Sequence, residues 1–591
     1  MENTLIRERI ASLRKEMQAE NIDVYIVLTD DFHGSEYVGY YFKCREFMSG
    51  FDGSAGTLVV LADEAGLWTD GRYFIQAAAQ LEGTGIDLYK SGEPGVPDIP
   101  DFLTEKLSQM SDPVIGFDGR TVSEAYATML SRRLAKATFA KTQDLVGRVW
   151  TDRPEFPHGP AWLLDEKYAG ESVASKLVKI RSAMAERGAD RHLMAALDDI
   201  AWTYNMRGED IDYNPVALAY SVITRDEAVI YMDMAALSDE DKAILAKDGV
   251  SIKPYLDVYE DVKVFDGKVM LDAGTVNTGL VAAVSDAAQV IRGGNPAKAL
   301  KALKNETEQS NERLAHIKDG VAVTKLCYWL KTLANGQDEM PTEMEVAAKL
   351  EEFRQMGEDY IGQSFAPIIA TGHHGAIVHY EADEKSNAVL ERGNFVLMDT
   401  GGHYLQGTTD ITRTLAIGDV SEKHKVHYTA VLCGNLNIGG AYFKEGITGT
   451  NIDYLARSPL WELGLDYNHG TGHGVGYLLN VHEGPNAIRL RKADVPFAPG
   501  MITSNEPGVY LEGEYGIRLE NLLLCVPGEE GFLEFETLTM VPFDRDAIMA
   551  DMLDEKQTFM LNLYHQQVYK TISLFLTEDE RKWLEKATAP I

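Results

Sequence analysis

Cysteine is scarce in this sequence. The 591 residues contain four, Cys44, Cys327, Cys433 and Cys525, and no two of them form a CxxC pair. This spacing argues against a disulfide framework and against a structural zinc knuckle. We therefore expect four free thiols in a protein of a reducing compartment.

Long apolar runs and basic residues are also in short supply. No stretch approaches the roughly 18 consecutive apolar residues of a membrane span, and the charged start, MENTLIRERIASLRKEM, lacks the apolar centre of a signal peptide. The 56 basic side chains face 91 acidic ones, a net charge of -35. A surface this negative repels nucleic acid and anionic lipid. The sequence predicts a cytoplasmic protein with neither nucleic acid nor membrane as a partner.

Two segments rich in proline and glycine divide the chain. They are TDRPEFPHGP at 151–160 and RGGNP at 292–296, and such segments are typical of domain junctions. With 45% apolar and 25% charged residues the composition is globular. We predict three domains, at residues 1–153, 154–304 and 305–591, the last ending in a helical extension.

The first two parts resemble each other. LRKEMQAENIDVYIVLTDD at 13–31 aligns with IRSAMAERGADRHLMAALDD at 180–199. The matched pairs are Arg14 with Arg181, Met17 with Met184, and Asp23 with Asp190. Each copy predicts a helix that leads into a strand, and the likeness continues from LWTD at 67–70 to IYMD at 230–233. The pattern indicates duplicated α/β domains.

The third part mixes helices and strands. Asn305 followed by Glu308 predicts a capping box at the start of a helix. Runs of β-branched and apolar residues at 395–399, 408–418 and 522–526 predict strands, and the last fifty residues return to helix. The overall fold class is therefore α/β, or more broadly α+β.

Histidine locates the chemistry, because nine of the fourteen histidines lie between His373 and His482. Within this region LMDTGGHYLQGTTDITRT places Asp399 and Asp410 eleven residues apart on two strands joined by a glycine-rich connection. Neighbouring strands would bring both carboxylates together as ligands for hard divalent cations. The alternative is that each aspartate accepts hydrogen bonds from turn amides.

A second segment, HGTGHGVGYLLNVHEGP, carries His469, His473 and His482 among alternating glycines. A nucleotide-binding loop is excluded, since neither GxGxxG nor GxxxxGK fits. Alternating glycines instead let the backbone approach a ligand closely.

Two glutamates follow, Glu506 in SNEPGVY and Glu520 in YGIRLEN. Taken singly, each suits an exposed surface position. On a continuous strand Arg518 and Glu520 would share one face. The candidate metal ligands are Asp399, Asp410, His473, Glu506 and Glu520.

These ligands point to hydrolysis. Four carboxylates held together repel one another, and two divalent cations would neutralise them. Mostly oxygen ligands with one imidazole suit Mn²⁺, Co²⁺ or Zn²⁺. Two such ions can hold a bridging hydroxide as the nucleophile and stabilise a tetrahedral oxyanion.

At these residues the sequence resembles the pita-bread metallopeptidase family, through GTTDITRT, HGTGHGVG, NEPG and GIRLEN. Within that family it resembles the three-domain, cytosolic Xaa-Pro aminopeptidase group, through SGFDGSAGTLVV at 49–60, LWTDGRYF at 67–74 and WTDRPE at 150–155. The resemblance covers essentially the whole chain. It implies two creatinase-like N-terminal domains, a pita-bread catalytic domain, and release of the N-terminal residue from peptides with proline in second position.

The resemblance also implies roles for individual residues. Asp399, Asp410, His473, Glu506 and Glu520 would hold two metal ions, commonly manganese, with Asp410 and Glu520 as the bridging carboxylates. Glu506 would also transfer the proton of the nucleophilic water. The family further implies a homodimer.

Substrate contacts are implied in the same way. His379, in IVHYEAD, matches a catalytic histidine at the scissile peptide, and His482 matches one that stabilises the tetrahedral intermediate. His469 and Arg518 would line the pocket, and Arg72, in TDGRYF, matches a peptide-binding arginine of the N-terminal domain.

Two alternatives stay open. Prolidase shares the five ligands but takes dipeptides and is usually shorter, with one N-terminal domain. A non-catalytic binding protein would keep the fold and lose ligands, whereas all five are present here.

Overall fold

A computed structural model describes residues 2–141, 144–336, 339–491 and 493–591. The chain forms two compact units. Unit 1 contains Met1–Glu166 and Glu171–Ala297, and unit 2 contains Lys167–Gly170 and Lys298–Ile591. The predicted domain boundaries at 153/154 and 304/305 stay a prediction.

The first half of unit 1 is built on a six-stranded sheet. Its strands are β1 (Val24–Leu28), β2 (Thr57–Leu61), β3 (Ala65–Thr69), β4 (Asp87–Lys90), β5 (Val114–Gly116) and β6 (Thr138–Ala140). The helices along this stretch are α1 (Glu2–Ala19), α2 (Cys44–Ser49), α3 (Phe74–Leu81), α4 (Ile99–Lys106), α5 (Glu124–Arg133) and α6 (Leu145–Val149). The strand order is β4-β3-β2-β1-β5-β6, with β1, β2 and β3 antiparallel and the outer strands added in parallel.

The second half repeats this plan. Its strands are β7 (Ala161–Leu163), β8 (Arg191–Met194), β9 (Met206–Gly208), β10 (Ala219–Thr224), β11 (Ala228–Met232), β12 (Val250–Pro254), β13 (Gly267–Leu271) and β14 (Ala288–Arg292). The helices are α8 (Val173–Glu186), α9 (Leu197–Thr203), α10 (Asp239–Lys247), α11 (Asp257–Asp261) and α12 (Thr278–Ala283). Most residues of α7 (Glu166–Ala169) and α13 (Pro296–Ala302), which flank this stretch, belong to unit 2. The sheet order β12-β11-β10-β8-β13-β14 matches the first sheet strand for strand, with the same parallel and antiparallel pairs.

The predicted duplication is confirmed by equivalent contacts. Arg14 donates from Nε to the carbonyl of the last residue of β2 at 2.8 Å, and Arg181 does the same to the last residue of β10 at 2.9 Å. Asp23 accepts an amide N–H from the start of β5 at 2.8 Å, and Asp190 accepts one from β13 at 2.9 Å. The aligned residues therefore make equivalent hydrogen bonds in both halves.

Unit 2 surrounds its sheets with longer helices. These are α14 (Glu306–Asn335), α15 (Glu343–Gln355), α16 (Glu422–Gly439), α17 (Gly449–Trp461), α18 (Glu555–Ile572) and α19 (Glu578–Ala587). The capping box of Asn305 and Glu308 at the start of α14 is confirmed, and α18 and α19 confirm the helical C-terminus. Among the described residues, no helix is both long and apolar enough to cross a membrane.

The strands of unit 2 form four sheets among the described residues. They are β15 (Tyr360–Gln363), β16 (Ile368–Thr371), β17 (Asn394–Thr400), β18 (Gly402–Tyr404), β19 (Gly407–Thr408), β20 (Ile411–Ile417), β21 (Tyr442–Lys444), β22 (Gly472–Gly474), β23 (Glu483–Ile488), β24 (Ile502–Asn505), β25 (Gly508–Leu511), β26 (Tyr515–Arg518), β27 (Asn521–Pro527) and β28 (Phe532–Thr537). The sheet orders are β15-β18-β19, β16-β17-β20, β21-β28-β27-β24-β22-β23 and β25-β26.

Most of the expected local structure in unit 2 is confirmed. The predicted strands at 395–399 and 522–526 lie inside β17 and β27. The predicted strand at 408–418 is interrupted, because Thr409 and Asp410 separate β19 from β20. All four cysteines are buried and free, as expected.

Candidate active site

Asp399 and Asp410 are brought together by two neighbouring strands. β17 and β20 pair antiparallel, with Asp399 opposite Thr412 and Thr400 opposite Ile411. Asp410 directly precedes β20, so both carboxylates lie at the same end of the pair. The predicted convergence of the two aspartates is confirmed.

His473 lies in β22 and Glu506 directly follows β24, and these two strands are neighbours in the six-stranded sheet. The backbone N–H of His473 donates to Ser504 Oγ at 2.9 Å, and that hydroxyl donates to Glu506 at 3.0 Å. His473 Nε2 lies 3.3 Å from Glu506 Oε1 and 3.5 Å from Asp410 Oδ2. The imidazole therefore joins the two sheets at the site.

Glu520 reaches the site from a break between strands. The expectation that Arg518 and Glu520 share one continuous strand is wrong, because β26 ends at Arg518 and β27 begins at Asn521. The backbone bends there, and the Glu520 N–H donates to the Thr412 carbonyl at 3.0 Å. The Thr412 hydroxyl donates to Glu520 at 2.9 Å and accepts from Arg518 Nε at 3.2 Å, so both side chains still face the same strand.

The cluster has the composition of a cation site. Ligand atoms of Asp410, His473 and Glu520 lie within 4.8 Å of one another. Asp399 Oδ1 and Glu520 Oε1 are buried without a hydrogen-bond partner among the described residues. Unpaired buried carboxylate oxygens are costly, and divalent ions would satisfy both. The residues present therefore fit the metal ions that the sequence predicts.

Burial and mutual repulsion perturb the carboxylates. Burial raises the pKa of Asp410 and of Glu520 well above the ordinary range, and the neighbouring carboxylates raise both further. Burial also raises the pKa of Glu506, but the hydrogen bond and charge of His473 outweigh it and bring that pKa below its usual value. In return Glu506 raises the pKa of His473 to about 9, against the effect of burial. The metal-free site therefore holds protons that bound cations would displace.

Arg518 is a buried side chain that forms two hydrogen bonds with Asp399. It is 1% exposed, and its Nη2 and Nε donate to Asp399 Oδ2 at 2.5 and 3.1 Å. Burial raises the pKa of Asp399 and the guanidinium charge opposes it. Arg518 Nη1 also donates to the Tyr510 hydroxyl at 2.8 Å. This arginine therefore contacts Asp399, Thr412 and Tyr510. Its expected contact with substrate stays a prediction.

His469 continues the same chain of hydrogen bonds. Its Nε2 lies 2.8 Å from the Tyr510 hydroxyl, and its Nδ1 lies 2.7 Å from the Gly470 carbonyl. Burial lowers the pKa of His469 to about 4, so the ring is neutral at pH 7. A neutral ring with Nδ1 donating to Gly470 leaves Nε2 to accept from Tyr510. Tyr510 was not expected from the sequence, although it follows Glu506 within the NEPGVY segment.

His482 adjoins His473, one of the proposed ligands, and His379 and Arg72 are positioned by other elements. The His482 ring packs edge-on against His473, with 4.3 Å between ring centroids. His379 is half-buried in a turn after the 3₁₀ helix Gly372–Ala376. Arg72 lies in unit 1 after β3, where Asp70 and Glu36 pair with it at 2.9 and 3.4 Å.

The turn of His379 is held against β26. A Cβ atom on Gly516 would overlap the carbonyl oxygen of Gly375, so these two backbones pack more closely than side chains would allow. Tyr380, next to His379, is buried in a small core with Ile368 and Leu397. The backbone beside His379 is therefore fixed by both a strand and a core contact.

A buried arginine on α17 supports the loop before β22. Arg457 pairs with Asp453 at 2.7 Å and donates to the carbonyls of Tyr467 at 2.7 Å and His469 at 3.0 Å. Thr471 donates to the same aspartate at 2.5 Å. This pair was not expected from the sequence, although aspartate and arginine four residues apart on a helix are a recognisable signal.

Models of known families match the chain in four consecutive segments. Two are the creatinase/prolidase N-terminal domain, at residues 9–149 and 152–308. The metallopeptidase family M24 matches residues 310–527, and the C-terminal region of that family matches residues 531–591.

Individual proteins match over the full length. The probable Xaa-Pro aminopeptidase P of Sordaria macrospora is 39% identical over 610 residues, covering 99% of both chains. That of Pyricularia oryzae is 39% identical over 620 residues, covering 100% of both. A crystal structure of X-prolyl aminopeptidase from Caenorhabditis elegans, described as a cytosolic enzyme with a di-nuclear active site, superposes with a TM-score of 0.95 at 33% identity over 99% of this chain and 100% of that one.

A shorter protein matches only part of the chain. Xaa-Pro dipeptidase from Bacillus anthracis gives a TM-score of 0.52 at 27% identity, covering 63% of this chain and 99% of its own. The predicted fold class, two creatinase-like α/β domains followed by a pita-bread domain, is confirmed.

Proposed function

The chain belongs to the Xaa-Pro aminopeptidase P family of metallopeptidases, and from that premise we propose that it releases the N-terminal residue from peptides with proline in second position. One observation carries the proposal. Three predicted ligands, Asp410, His473 and Glu520, converge within 4.8 Å, in a chain that matches these enzymes from end to end.

Two divalent cations are the proposed cofactors. Asp399, Asp410, His473, Glu506 and Glu520 would hold them, with Asp410 and Glu520 shared between both ions. We propose Mn²⁺, with Zn²⁺ and Co²⁺ as alternatives that the same ligands accept. When bound, the pair supplies a bridging hydroxide as nucleophile and Lewis acidity toward the scissile carbonyl.

Side chains at and around the proposed ligands transfer a proton, stabilise the oxyanion and contact the substrate. Glu506 would accept the proton of the nucleophilic water and pass it to the imino nitrogen that leaves. His482, beside His473, donates a hydrogen bond to the oxyanion. His379 contacts the scissile peptide, and His469 and Arg518 support the pocket wall through Tyr510.

The chemistry of proline explains why such a site is useful. An imide bond to proline has no N–H, and its φ angle is fixed. Proteases that bind substrate as an added β-strand lose a hydrogen bond there. A nucleophile that attacks the exposed carbonyl does not need that N–H. The trans isomer is the majority form of most Xaa-Pro bonds, and we propose that it is the form cleaved.

Three further expectations belong to the same proposal. We infer a cytoplasmic location, in keeping with the four free cysteines and with the cytosolic relative from Caenorhabditis elegans. A homodimer, and a contact of Arg72 with the peptide, stay predictions from the family resemblance.

The test is hydrolysis of an Arg-Pro-Pro peptide and of an Xaa-Pro dipeptide, each with and without Mn²⁺. We expect release of arginine from the longer peptide in the presence of the metal. Cleavage confined to the dipeptide would indicate a prolidase, and no cleavage of either would indicate a binding protein. Asp410→Ala removes a proposed bridging ligand and should abolish turnover; activity within about twofold of the parent enzyme would contradict the metal site.

A further inference from the structure

The connection between Asp399 and Asp410 is a short hairpin that side chains of α14 and α15 contact. β18 and β19 form the hairpin, with His403 opposite Thr408. Thr400 directly follows Asp399, and Thr409 directly precedes Asp410. Contacts that fix these two threonines therefore act, together with the pairing of β17 and β20, on the spacing of the two carboxylates.

Both threonines are tied to one buried ion pair. Asp319 on α14 pairs with Arg354 on α15, with Arg354 Nε 2.7 Å from Asp319 Oδ1. Arg354 Nη2 donates to the Thr400 hydroxyl at 3.0 Å, and the Thr409 hydroxyl donates to Asp319 Oδ2 at 2.7 Å. Tyr404, in the hairpin itself, donates to Asp319 Oδ1 at 3.2 Å. The pair thus contacts the hairpin at both ends and in the middle.

A second acid from α14 fixes the tip of the hairpin. Glu312, seven residues before Asp319 on the same helix, accepts the backbone N–H of Thr408 at 3.2 Å. Gly407 adopts φ +146, and a Cβ atom there would overlap the Glu312 carboxyl group. The turn can therefore form against Glu312 only with glycine at this position.

The burial of the pair argues for a positioning role. Asp319 and Arg354 are 3% and 1% exposed. Removing two charges from water is expensive, and replacement of a buried ion pair by apolar residues is often neutral or stabilising. Stability alone therefore does not account for a charged pair at this depth. Its bidentate geometry does hold two chain segments at a set separation.

The geometry points to Asp319 and Arg354 as the positioning pair that sets the spacing of the Asp399 and Asp410 carboxylates, and so determines how tightly the site binds its second divalent cation. This inference rests on the proposed function, since it requires a site for two ions. Groups that orient metal ligands typically change affinity by roughly 10–100-fold when removed. The pair bonds to Thr400, Tyr404 and Thr409, so it would act on the metal ions through the hairpin.

The decisive variant is Thr400→Val, which removes one hydrogen bond of the hairpin and leaves the ion pair and the side-chain shape intact. Asp319→Asn is the second variant and perturbs both ends together. Thr324→Val is the matched control, because Thr324 is a buried threonine on α14 whose hydroxyl has no partner among the described residues. Each full-length protein is stripped with chelator and titrated with Mn²⁺ by calorimetry, with metal content measured by mass spectrometry and melting temperature measured without metal.

We expect wild type and Thr324→Val to bind two Mn²⁺ ions alike, and Thr400→Val to raise the dissociation constant of the weaker ion at least about tenfold. Its metal-free melting temperature should change little, and excess Mn²⁺ should restore kcat. Wild-type affinity for both ions in Thr400→Val would overturn the inference, even if Asp319→Asn failed to fold. Absence of Mn²⁺ from wild type would instead refute the proposed function, and this inference with it.

Discussion

Glu343 offers a sharp test of how the fold positions His379. This carboxylate is fully buried at the start of α15. Its Oε1 accepts from the Thr371 N–H at 2.8 Å and from His374 Nδ1 at 2.8 Å. Its Oε2 accepts from the Tyr380 hydroxyl at 2.8 Å and from the Ala388 N–H at 3.0 Å. One side chain thus fastens both ends of the segment that contains His379.

The substitution Glu343→Gln keeps the shape and replaces one oxygen with an NH₂ group. In either orientation of the amide, that donor faces a backbone N–H, of Thr371 or of Ala388. A hydrogen bond to a charged group contributes about 1.5–3 kcal/mol, and a buried donor left unpaired costs about 1–3 kcal/mol. We expect the free energy of unfolding to fall by about 2–4 kcal/mol, because one bond is lost and the others become neutral.

The Glu343→Gln substitution should also lower the catalytic rate. A displacement of about 1 Å in a catalytic group can lower the rate by about 10²-fold, so we expect kcat to fall by roughly 10–100-fold with both metal ions retained. Denaturant unfolding, amide exchange over residues 371–390 and steady-state kinetics measure the effect. The control is Glu345→Gln, two residues along the same helix, where glutamine also closes the capping box with Thr342. A change in stability below about 1 kcal/mol together with unchanged kcat would refute the reasoning.

Two further predictions concern the metal site. His482→Ala should lower kcat by roughly 10²–10³-fold with metal still bound, as removal of an oxyanion donor does; loss of metal in this variant would make His482 a ligand instead. In the metal-free protein Glu506 raises the pKa of His473 from 6.5 to about 9. The protonated His473 therefore stabilises the folded state fully below pH 6.5, and this stabilisation is lost as the pH rises through about 9. Because the cation displaces that proton, Mn²⁺ affinity should rise with pH over this range and binding at pH 7 should release at least about one proton. Calorimetry in buffers of different ionisation enthalpy counts the protons, and affinity independent of pH would contradict the assignment of His473.

Electrostatic balance explains why the site should depend on its cofactor. Asp410 and Glu520 lie in a cluster whose burial and like charges both oppose ionisation. Arg518 pairs directly with Asp399, and its charge also lowers the pKa of Glu506 and of Glu520, but one guanidinium does not balance four carboxylates. Cations that neutralise the remainder would stabilise the folded state by mass action, by about 2.7 kcal/mol when free metal is a hundredfold above the dissociation constant. Chelation should therefore lower the melting temperature as well as the activity.

The sequence alone determined the local and repeated features of this protein. Short-range patterns predicted the capping box at Asn305, the strands around Asp399 and the helical C-terminus, because these depend on residues a few positions apart. The duplication was visible through Arg14 and Arg181, since the same hydrogen bond selects the same residue in both copies. The five proposed metal ligands could be named because their residue types and flanking glycines form recognisable sequence motifs.

Tertiary structure decided what supports those ligands. Glu520 lies at a break between strands rather than within one, because its N–H is taken by Thr412 from another strand. Glu343 and the pair of Asp319 and Arg354 gain their roles from partners 28 to 90 residues away, and Tyr510 contacts His469 from 41 residues away. A buried charge is stable only beside a specific partner in three dimensions, and no local pattern in the chain states which partner that is. The sequence could therefore identify the groups proposed to bind metal, and only the folded chain identifies the groups that hold them in place.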